Sequence, residues 1–558
     1  MTSARLRLLL CCSLASVLVF ACHTALAVNC RVVPASVPTE ADKAFLRSEY
    51  DHAATLYQEQ LQQKPDDPEL TVRLAQAFLK QQKVSDADSL IHKSLERNPK
   101  SVVLLTMLGE VQYRQGMPWL ATSTAADSLK IDPCYAQLRL LVARIARLDS
   151  HYAASAHEIA TAHSLDPTDP QIRRLWLGTL PAKQRLTELE SYMSQQNGDD
   201  AEESRDLNHY RDYLKRVVTE PRKSCRLVSN NENATVPFAL LMRDAQHIQG
   251  FGLDVKLNDR HARLEIDTGA GGILVSRSVA EHAGLKQFSR NEVGGIGSQG
   301  QRSGYIAYAD DIKIGSLEFR DCEVQVIDQR NVTEIDGLIG MDVFSHFLVT
   351  LDYPMRKLIL GPLPQRPDDK AFAKPSLQTD SEEDSADEES GDTASNDASS
   401  PAKPGPKLHD RYIAPEMKDW TKVYRIGHNL LIPTSLNGSG FKTFILDTGA
   451  FSTTITPDVA RAVTKVHSDD NIIVKGISGK VNKVYSADEI TFRFANISQK
   501  VRDVVAFDTP QVSKNLDMEV SGFIGITALG QTTMSIDYRD GLVKFSYDAN
   551  RGFHITPN

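Results

Sequence analysis

Two short segments are candidates for chemistry: Asp267-Thr268-Gly269-Ala270 and Asp447-Thr448-Gly449-Ala450. Each offers one carboxylate on a tight turn. Two carboxylates held a few ångströms apart cannot both ionise easily, so they share a proton; one oxygen can then act as base on a water while the protonated partner polarises a carbonyl. Such a pair titrates as a unit. Other chemistries find less support. The histidines are scattered, with none in a nucleophile or metal-binding arrangement, and no cysteine pair has the spacing of a zinc site. Neither a metal nor a cofactor is expected. The glycine-rich run Val293-Gly294-Gly295-Ile296-Gly297 lacks the Gly-Lys-Ser/Thr ending and following helix of a phosphate loop.

An isolated Asp-Thr-Gly is usually only a turn, so its surroundings decide. Here the surroundings occur twice. Gly252-Leu253-Asp254-Val255-Lys256-Leu257 turns at Asn258-Asp259 and returns as Ala262-Arg263-Leu264-Glu265-Ile266 to deliver the first copy. Leu430-Leu431-Ile432-Pro433-Thr434-Ser435-Leu436 turns at Asn437-Gly438 and returns through Phe444-Ile445-Leu446 to deliver the second. Alternating apolar residues around Asn-containing turns predict strands joined as hairpins. Each copy continues with apolar residues and a hydroxyl, Ile273-Leu274-Val275-Ser276 and Thr454-Ile455-Thr456, leading into a short helix marked by Val279-Ala280 or Val459-Ala460. Glycine-rich turns follow, with Gly294, Gly295, Ile296 and Gly297 in one copy and Gly476, Ile477 and Gly479 in the other. Leu338-Ile339-Gly340 matches Phe523-Ile524-Gly525, and Thr350-Leu351-Asp352-Tyr353 matches Ser535-Ile536-Asp537-Tyr538. Matched features in one order indicate a duplication.

At these residues the chain resembles the aspartic protease superfamily, pepsin-like and especially retropepsin-like, over roughly residues 240–362 and 422–550. The resemblance implies two all-β lobes, each supplying one Asp-Thr-Gly loop, with Asp267 and Asp447 as the catalytic pair facing each other across a two-fold axis. Thr268 and Thr448 would hydrogen-bond across that axis, Gly269 and Gly449 would let amide protons approach the carboxylates, and the glycine-rich turns would be flaps. Pepsin-like enzymes commonly carry Ser or Thr after Asp-Thr-Gly, whereas Ala270 and Ala450 stand here. Losing that hydroxyl donor should raise the pair's pKa values and place the pH optimum between mildly acid and near neutral. No flap tyrosine stands out at the family's usual place.

Ahead of the lobes runs a clock of period 34. Pro65, Pro99, Pro133 and Pro167 each close a helical stretch, because proline lacks the amide proton a helix interior requires. Ala75, Gly109 and Ala143 keep the same phase in one helix of each unit, and Ala53, Ala87 and Ala121 in the other. Tyr57, Ile91 and Phe78 fill the larger positions. About four units resemble the tetratricopeptide repeat, a helix-turn-helix unit stacked into a solenoid. Two substitutions mark the ends, Ala44 where an aromatic is usual and Ser155 where alanine is expected. The fold class is therefore multidomain: an α-helical solenoid over residues 34–180 and a helical connector at 181–224, followed by the two β lobes.

The remaining segments concern export and tethering. Arg5 and Arg7 precede an apolar run from Leu8 to Ala21 that ends near Ala25-Leu26-Ala27, the pattern of a signal peptide over residues 1–27. That run of about 14 residues is shorter than the roughly 20 a membrane span needs. Val19-Phe20-Ala21-Cys22 has some likeness to a lipobox, which makes a lipid anchor at Cys22 the alternative. No later stretch reads as transmembrane. An exported, periplasmic or secreted protein would meet oxidising conditions, and Cys30, Cys134, Cys225 and Cys322 then permit one or two disulfides whose pairing the sequence leaves open. Residues 363–418 read as an acidic, disordered linker rich in Pro, Ser, Asp and Glu. About 45 flexible residues span roughly 35–40 Å, enough for the lobes to pair within one chain; like-with-like homodimerisation is the alternative. Net charge is 63 − 72 = −9, and the stretch Asp380 to Asp397 alone carries nine acids and no Lys or Arg. The rest of the chain is neutral, which argues against a nucleic-acid partner.

The expectation is thus an exported aspartic endopeptidase acting on polypeptides, its helical repeats binding a protein partner or presenting substrate. The competing class is a non-catalytic scaffold that uses the repeats and a degenerate cleft for binding.

Overall fold

The computed structural model describes residues 30–32, 37–195, 201–219, 225–229, 233–242, 248–328, 335–367, 408–469 and 471–548. The signal segment, Cys22 and most of the acidic linker lie outside them. Among the described residues no helix is long and apolar enough to cross a membrane. The chain divides into two compact units, residues up to 219 together with 404–410, and the remainder.

The first unit is built of antiparallel helix pairs, beginning Glu40–Leu46 with Tyr50–Gln63 and continuing Pro68–Lys80 with Val84–Leu95, Val102–Arg114 with Pro118–Ile131, and Ala136–Leu148 with Tyr152–Leu165. Each clock proline falls between pairs, and three of the four starts that follow are capped by a side chain: Asp67 accepts from the amides of Glu69 and Leu70, Ser101 from that of Leu104, and Asp169 from those of Gln171 and Ile172, whereas the start at Ala136 has no such cap. Such caps satisfy amides that a helix start otherwise leaves unpaired. The small residues of the clock are buried where helices cross. Gly109 shows why size matters there, since a Cβ on it would lie 2.7 Å from Leu141 Cδ2. Ser155 is tolerated at an alanine position because its hydroxyl donates to the Ala143 carbonyl of the paired helix at 2.8 Å. Cys30 is bonded to Cys134, tying the segment before the first helix to the turn that opens Ala136–Leu148. Helices Pro170–Leu177, Ala182–Gln195 and Ala201–Thr219 follow without the clock, the last two packed on each other through Leu189 and Leu214.

The second unit holds both lobes. In the first lobe, strand Ile248–Leu257 pairs antiparallel with Arg260–Asp267, which pairs in parallel with Gly337–Gly340. In the second, Asn429–Leu436 pairs with Phe441–Leu446, which pairs in parallel with Gly522–Ile524. The hairpin turns obey one rule in both. Asn258 and Asn437 adopt φ of 47° and 49°, the left-handed region that asparagine tolerates better than most residues. Each then brackets the turn with its amide: Asn258 donates to the Ala283 carbonyl and accepts from the Asp311 amide, and Asn437 donates to the Val463 carbonyl and accepts from the Thr491 amide.

A third sheet, of six strands among the described residues, is shared between the lobes. Its centre is Phe347–Asp352 against Thr533–Asp537, antiparallel, with Val349 opposite Ile536 and the Thr350 and Ser535 hydroxyls 2.9 Å apart. These are the matched Ser/Thr-x-Asp-Tyr strands, and they join the copies to each other. A single apolar core runs through both lobes, taking in Leu264, Ile266 and Ile339 with Phe444, Leu446 and Ile524.

The expected boundaries shift at two places. Strands Arg226–Leu227 and Ala234–Pro237 precede residue 240, and Cys225 is bonded to Cys322. Covalent closure and ladder pairing thus draw this segment into the first lobe. The two feet of the expected linker are ordered against the second lobe, a correction to a tether running over 363–418. Arg366 donates to Asp540 Oδ1 at 2.6 Å, the Tyr412 amide donates to the same oxygen at 2.8 Å, and Arg411 Nε donates to the Asp540 carbonyl at 2.7 Å. A fully buried carboxylate must find donors, and both feet supply them. Farther along, the His409 carbonyl and the Asp410 carboxylate accept from the amides of Tyr152 and Ala154 in the helical unit.

Candidate active site

Asp267 ends the strand Arg260–Asp267 and Asp447 follows Phe441–Leu446, so each carboxylate stands where a buried strand gives way to its turn. The strands Gly337–Gly340 and Gly522–Ile524 run beneath. Glycine is required at the loop ends: a Cβ on Gly340 would lie 2.4 Å from the Ala270 carbonyl oxygen, and one on Gly525 would lie 2.7 Å from that of Ala450.

The loops are locked to each other by a reciprocal set of four bonds. The Thr268 amide donates to Thr448 Oγ1 and the Thr448 amide to Thr268 Oγ1, each at 3.1 Å. Thr268 Oγ1 donates to the Leu446 carbonyl at 2.8 Å, and Thr448 Oγ1 to the Ile266 carbonyl at 2.9 Å. Each hydroxyl is both donor and acceptor, so every buried group in the crossing is satisfied. Gly269 and Gly449 lie where each turn crosses the opposite carboxyl group. A Cβ on Gly269 would be 2.8 Å from Asp447 Cγ, and one on Gly449 would be 2.6 Å from Asp267 Cγ. Their amides donate to their own aspartates at 2.7 and 3.0 Å, and the Ala450 amide adds a bond to Asp447 Oδ1 at 3.0 Å.

Burial holds both carboxyls above the ordinary aspartate range, well above it for Asp447, where the neighbouring Asp267 adds to the effect. Amide donors pull the other way and are outweighed. Each carboxyl group lies within reach of the other's electrostatic influence, the arrangement in which adjacent carboxylates are expected to share one proton. Neither Ala270 nor Ala450 offers a side-chain donor that would restore the ionised form.

The glycine-rich turns meet over the loops. Ser478 N donates to the Ile296 carbonyl at 3.0 Å, Gln299 N to the Ser478 carbonyl at 2.9 Å, and Gly295 N to Ser478 Oγ at 3.1 Å. Ser298 N donates to the Lys480 carbonyl and accepts, through Oγ, from Asn482 N. Gly295, Ile296, Gly297, Gly476, Ile477 and Gly479 all lie at this crossing; Gly476 could not carry a side chain, since its Cβ would be 2.4 Å from the Ile296 carbonyl. Gly294 stands at its edge, facing Gln301 and Asn515.

Sequence reasoning passed over Ser478, although it joins the flaps through three atoms. It also passed over His428, whose Nε2 lies 3.1 Å from the Gly269 carbonyl while its ring fills the space beside Gly271. Asn429 Nδ2 lies 3.1 Å from the same nitrogen, so Nε2 stands between a carbonyl acceptor and a side-chain amide. Burial lowers this histidine to about 4, which keeps it neutral against the Asp267 loop. Asp342, buried behind the same loop, accepts from the Gly272 amide at 3.0 Å and is raised to about 6, again by burial. His428 had no local signal; Asp342 follows Leu338-Ile339-Gly340 by two residues and could have been read with it.

Comparison with known proteins accords with this geometry. Residues 253–343 match the aspartyl protease family, and residues 44–108 match the tetratricopeptide repeat. The chain carries an aspartyl protease domain. Its first lobe is the matched part, and the second lobe joins it through the duplication described above. DNA damage-inducible protein 1 of Neurospora crassa is 29% identical over 111 residues, which are 19% of this chain and 24% of that protein. The chain thus spans about a quarter of that relative's length. A thermophilic tetratricopeptide-repeat protein of Thermus thermophilus is 24% identical over 31% of this chain and 95% of its own, with a TM-score of 0.26.

Proposed function

We propose that the aspartyl protease domain is an active endopeptidase whose site is assembled within one chain, with Asp267 and Asp447 as the catalytic pair. The observation that carries this reading is the reciprocal threonine crossing, which brings the two carboxyls together in one buried site. In the proposed reaction a water is deprotonated by the ionised member while its protonated partner donates to the scissile carbonyl. The water oxygen bonds to the carbonyl carbon, and the carbon–nitrogen bond breaks as a proton passes to the leaving amine. The flaps must part to admit a polypeptide and then close to exclude solvent.

Burial raises both carboxyls, so the singly protonated pair persists to higher pH and the falling limb of the rate profile moves upward. We expect an optimum between mildly acid and near neutral. A profile peaking below about 3 would count against the reading. We further propose that the chain is exported and periplasmic or secreted, consistent with its two disulfides, and that the repeats bind a protein partner or present substrate.

The test is cleavage of an unfolded protein across pH 3–8 by the full chain, by Asp267→Asn, by Asp447→Asn and by an equimolar mixture of the two. Loss of about 10³-fold in each variant, with no recovery on mixing, supports a site within one chain. Activity surviving in either variant alone would indicate pairing of like lobes between chains, and a silent wild type would leave the lobes as a binding platform.

A further inference from the structure

The duplicated scaffold is broken at one position directly behind the catalytic pair. Glu265 lies two residues before Asp267 on the strand Arg260–Asp267, and Ile445 lies two residues before Asp447. Side chains two apart on a strand share a face about 7 Å apart, so Glu265 and Ile445 occupy equivalent places beside their aspartates. Their cross-strand partners differ in the same sense. Ile445 is opposite Leu431, whereas Glu265 is opposite Gly252. One wall therefore carries two large apolar side chains and the other a carboxyl group with no side chain facing it.

The space left by glycine is where the carboxyl lies. A Cβ on Gly250 would be 2.7 Å from Glu265 Oε1, and Leu241 borders both Gly250 and Gly252. Only 8% of Glu265 is exposed. No ion pair or hydrogen bond joins its carboxyl to another described residue. Arg263, two residues away on the same strand, is bonded to Asp254 at 2.9 Å and so is committed elsewhere. Burial, and secondly the charge of Asp267, raise Glu265 to about 8. A buried carboxyl held without a partner beside a reacting pair calls for an explanation, and the absent partner is supplied if it arrives with the substrate.

We infer that Glu265 is a specificity-determining residue, forming a subsite that takes a lysine or arginine side chain next to the scissile bond on the first-lobe side, while Ile445 makes the opposite subsite apolar. The inference rests on the endopeptidase reading and refines it. As an ammonium or guanidinium enters, the carboxyl releases its proton to solvent and the resulting carboxylate accepts a charge-assisted hydrogen bond from the cation in a desolvated slot. Discrimination follows from the alternative, because an apolar side chain there leaves the carboxyl unpaired.

Two measurements test it. In the first, the full chain digests an unfolded protein and the new termini are sequenced. Wild type should place Lys or Arg on one side of the cut and an apolar residue on the other, and Glu265→Ile, which copies the second lobe, should lose the basic preference at least tenfold. Cleavage without that preference, or its persistence in the variant, overturns the inference and leaves the endopeptidase reading standing. The second measurement does not need turnover. The full chain carrying Asp447→Asn is titrated with an apolar fluorescent peptide and with the same peptide bearing one central lysine, each with and without Glu265→Gln. A tenfold loss confined to the lysine peptide supports the subsite, and equal affinities for the two peptides overturn it. A thermal melt of each variant separates lost recognition from lost folding.

Discussion

The two lobes are alike in what holds the carboxylates and unlike in what surrounds them. Both turn through a left-handed asparagine that makes the same two side-chain bonds, both insert a glycine-ended strand beneath the loop, and both contribute one threonine to the crossing. Behind this shared frame, Glu265 faces glycine where Ile445 faces leucine, and His428 of the second lobe packs on the loop of the first. Positioning two carboxyls symmetrically is a geometric requirement met twice by one solution. In the proposed endopeptidase, recognition of a peptide, which has a direction, would be served by unequal walls.

The comparison can be pressed hardest at the flaps, where the lobes interlock. A Cβ on Gly295 would lie 3.1 Å from Ile477 Cβ, a few tenths of an ångström short of the roughly 3.5–4.5 Å that a disulfide bridges, so a slight parting of the turns admits the bond. Gly295→Cys with Ile477→Cys should therefore oxidise to a closed enzyme with protein cleavage at background, recovering on mild reduction while wild type under the same reductant serves as control. Wild-type turnover in the crosslinked form would mean that the flaps need not part.

Next comes the crossing. Thr268→Val and Thr448→Val each remove a hydroxyl that both donates and accepts, stranding one buried amide and one buried carbonyl. Each should cost about 2–4 kcal/mol in urea unfolding, and the two costs should be equal. A difference larger than about 1 kcal/mol would show that the frame is less symmetric than its bonds.

A further effect probes the asymmetry through His428. Its folded pKa is depressed to about 4, against roughly 6.5 when unfolded. The unfolded chain therefore binds the extra proton first, and stability falls as pH drops through 6.5 toward 4. His428→Gln should remove on the order of 3 kcal/mol of the stability lost between pH 6.5 and 4, read from unfolding midpoints at successive pH values; an unchanged slope would remove His428 as its source. Smallest of all, Asn258→Ala and Asn437→Ala should each lose about 1–2 kcal/mol through left-handed strain and lost turn bonds, again equally, as thermal melts would report.

Local patterns made the frame readable. The turn asparagines, the apolar-apolar-glycine strands and the proline clock are each written within a few residues, and repetition in phase separated them from chance. The contacts that complete the site were not readable in the same way. His428 meets Gly269 across 159 residues, and nothing beside it in sequence distinguishes it from the other histidines. Ser478 lies between Ile477 and Gly479 in sequence, yet its role depends on Ile296 and Gln299 of the other lobe. Glu265 reads in sequence as one residue of a strand, because its meaning lies in the contrast with Ile445. The disulfides were left open among three pairings, since connectivity is a property of the folded chain, and Cys30–Cys134 and Cys225–Cys322 each close within one compact unit.

The carboxylate of Asp540 grips the chain at Arg366 and again at Tyr412, so the segment between them leaves and returns at one point of the second lobe. One buried carboxylate thus fixes both where the chain leaves the second lobe and where it re-enters it, so Asp540→Ala would release both places together.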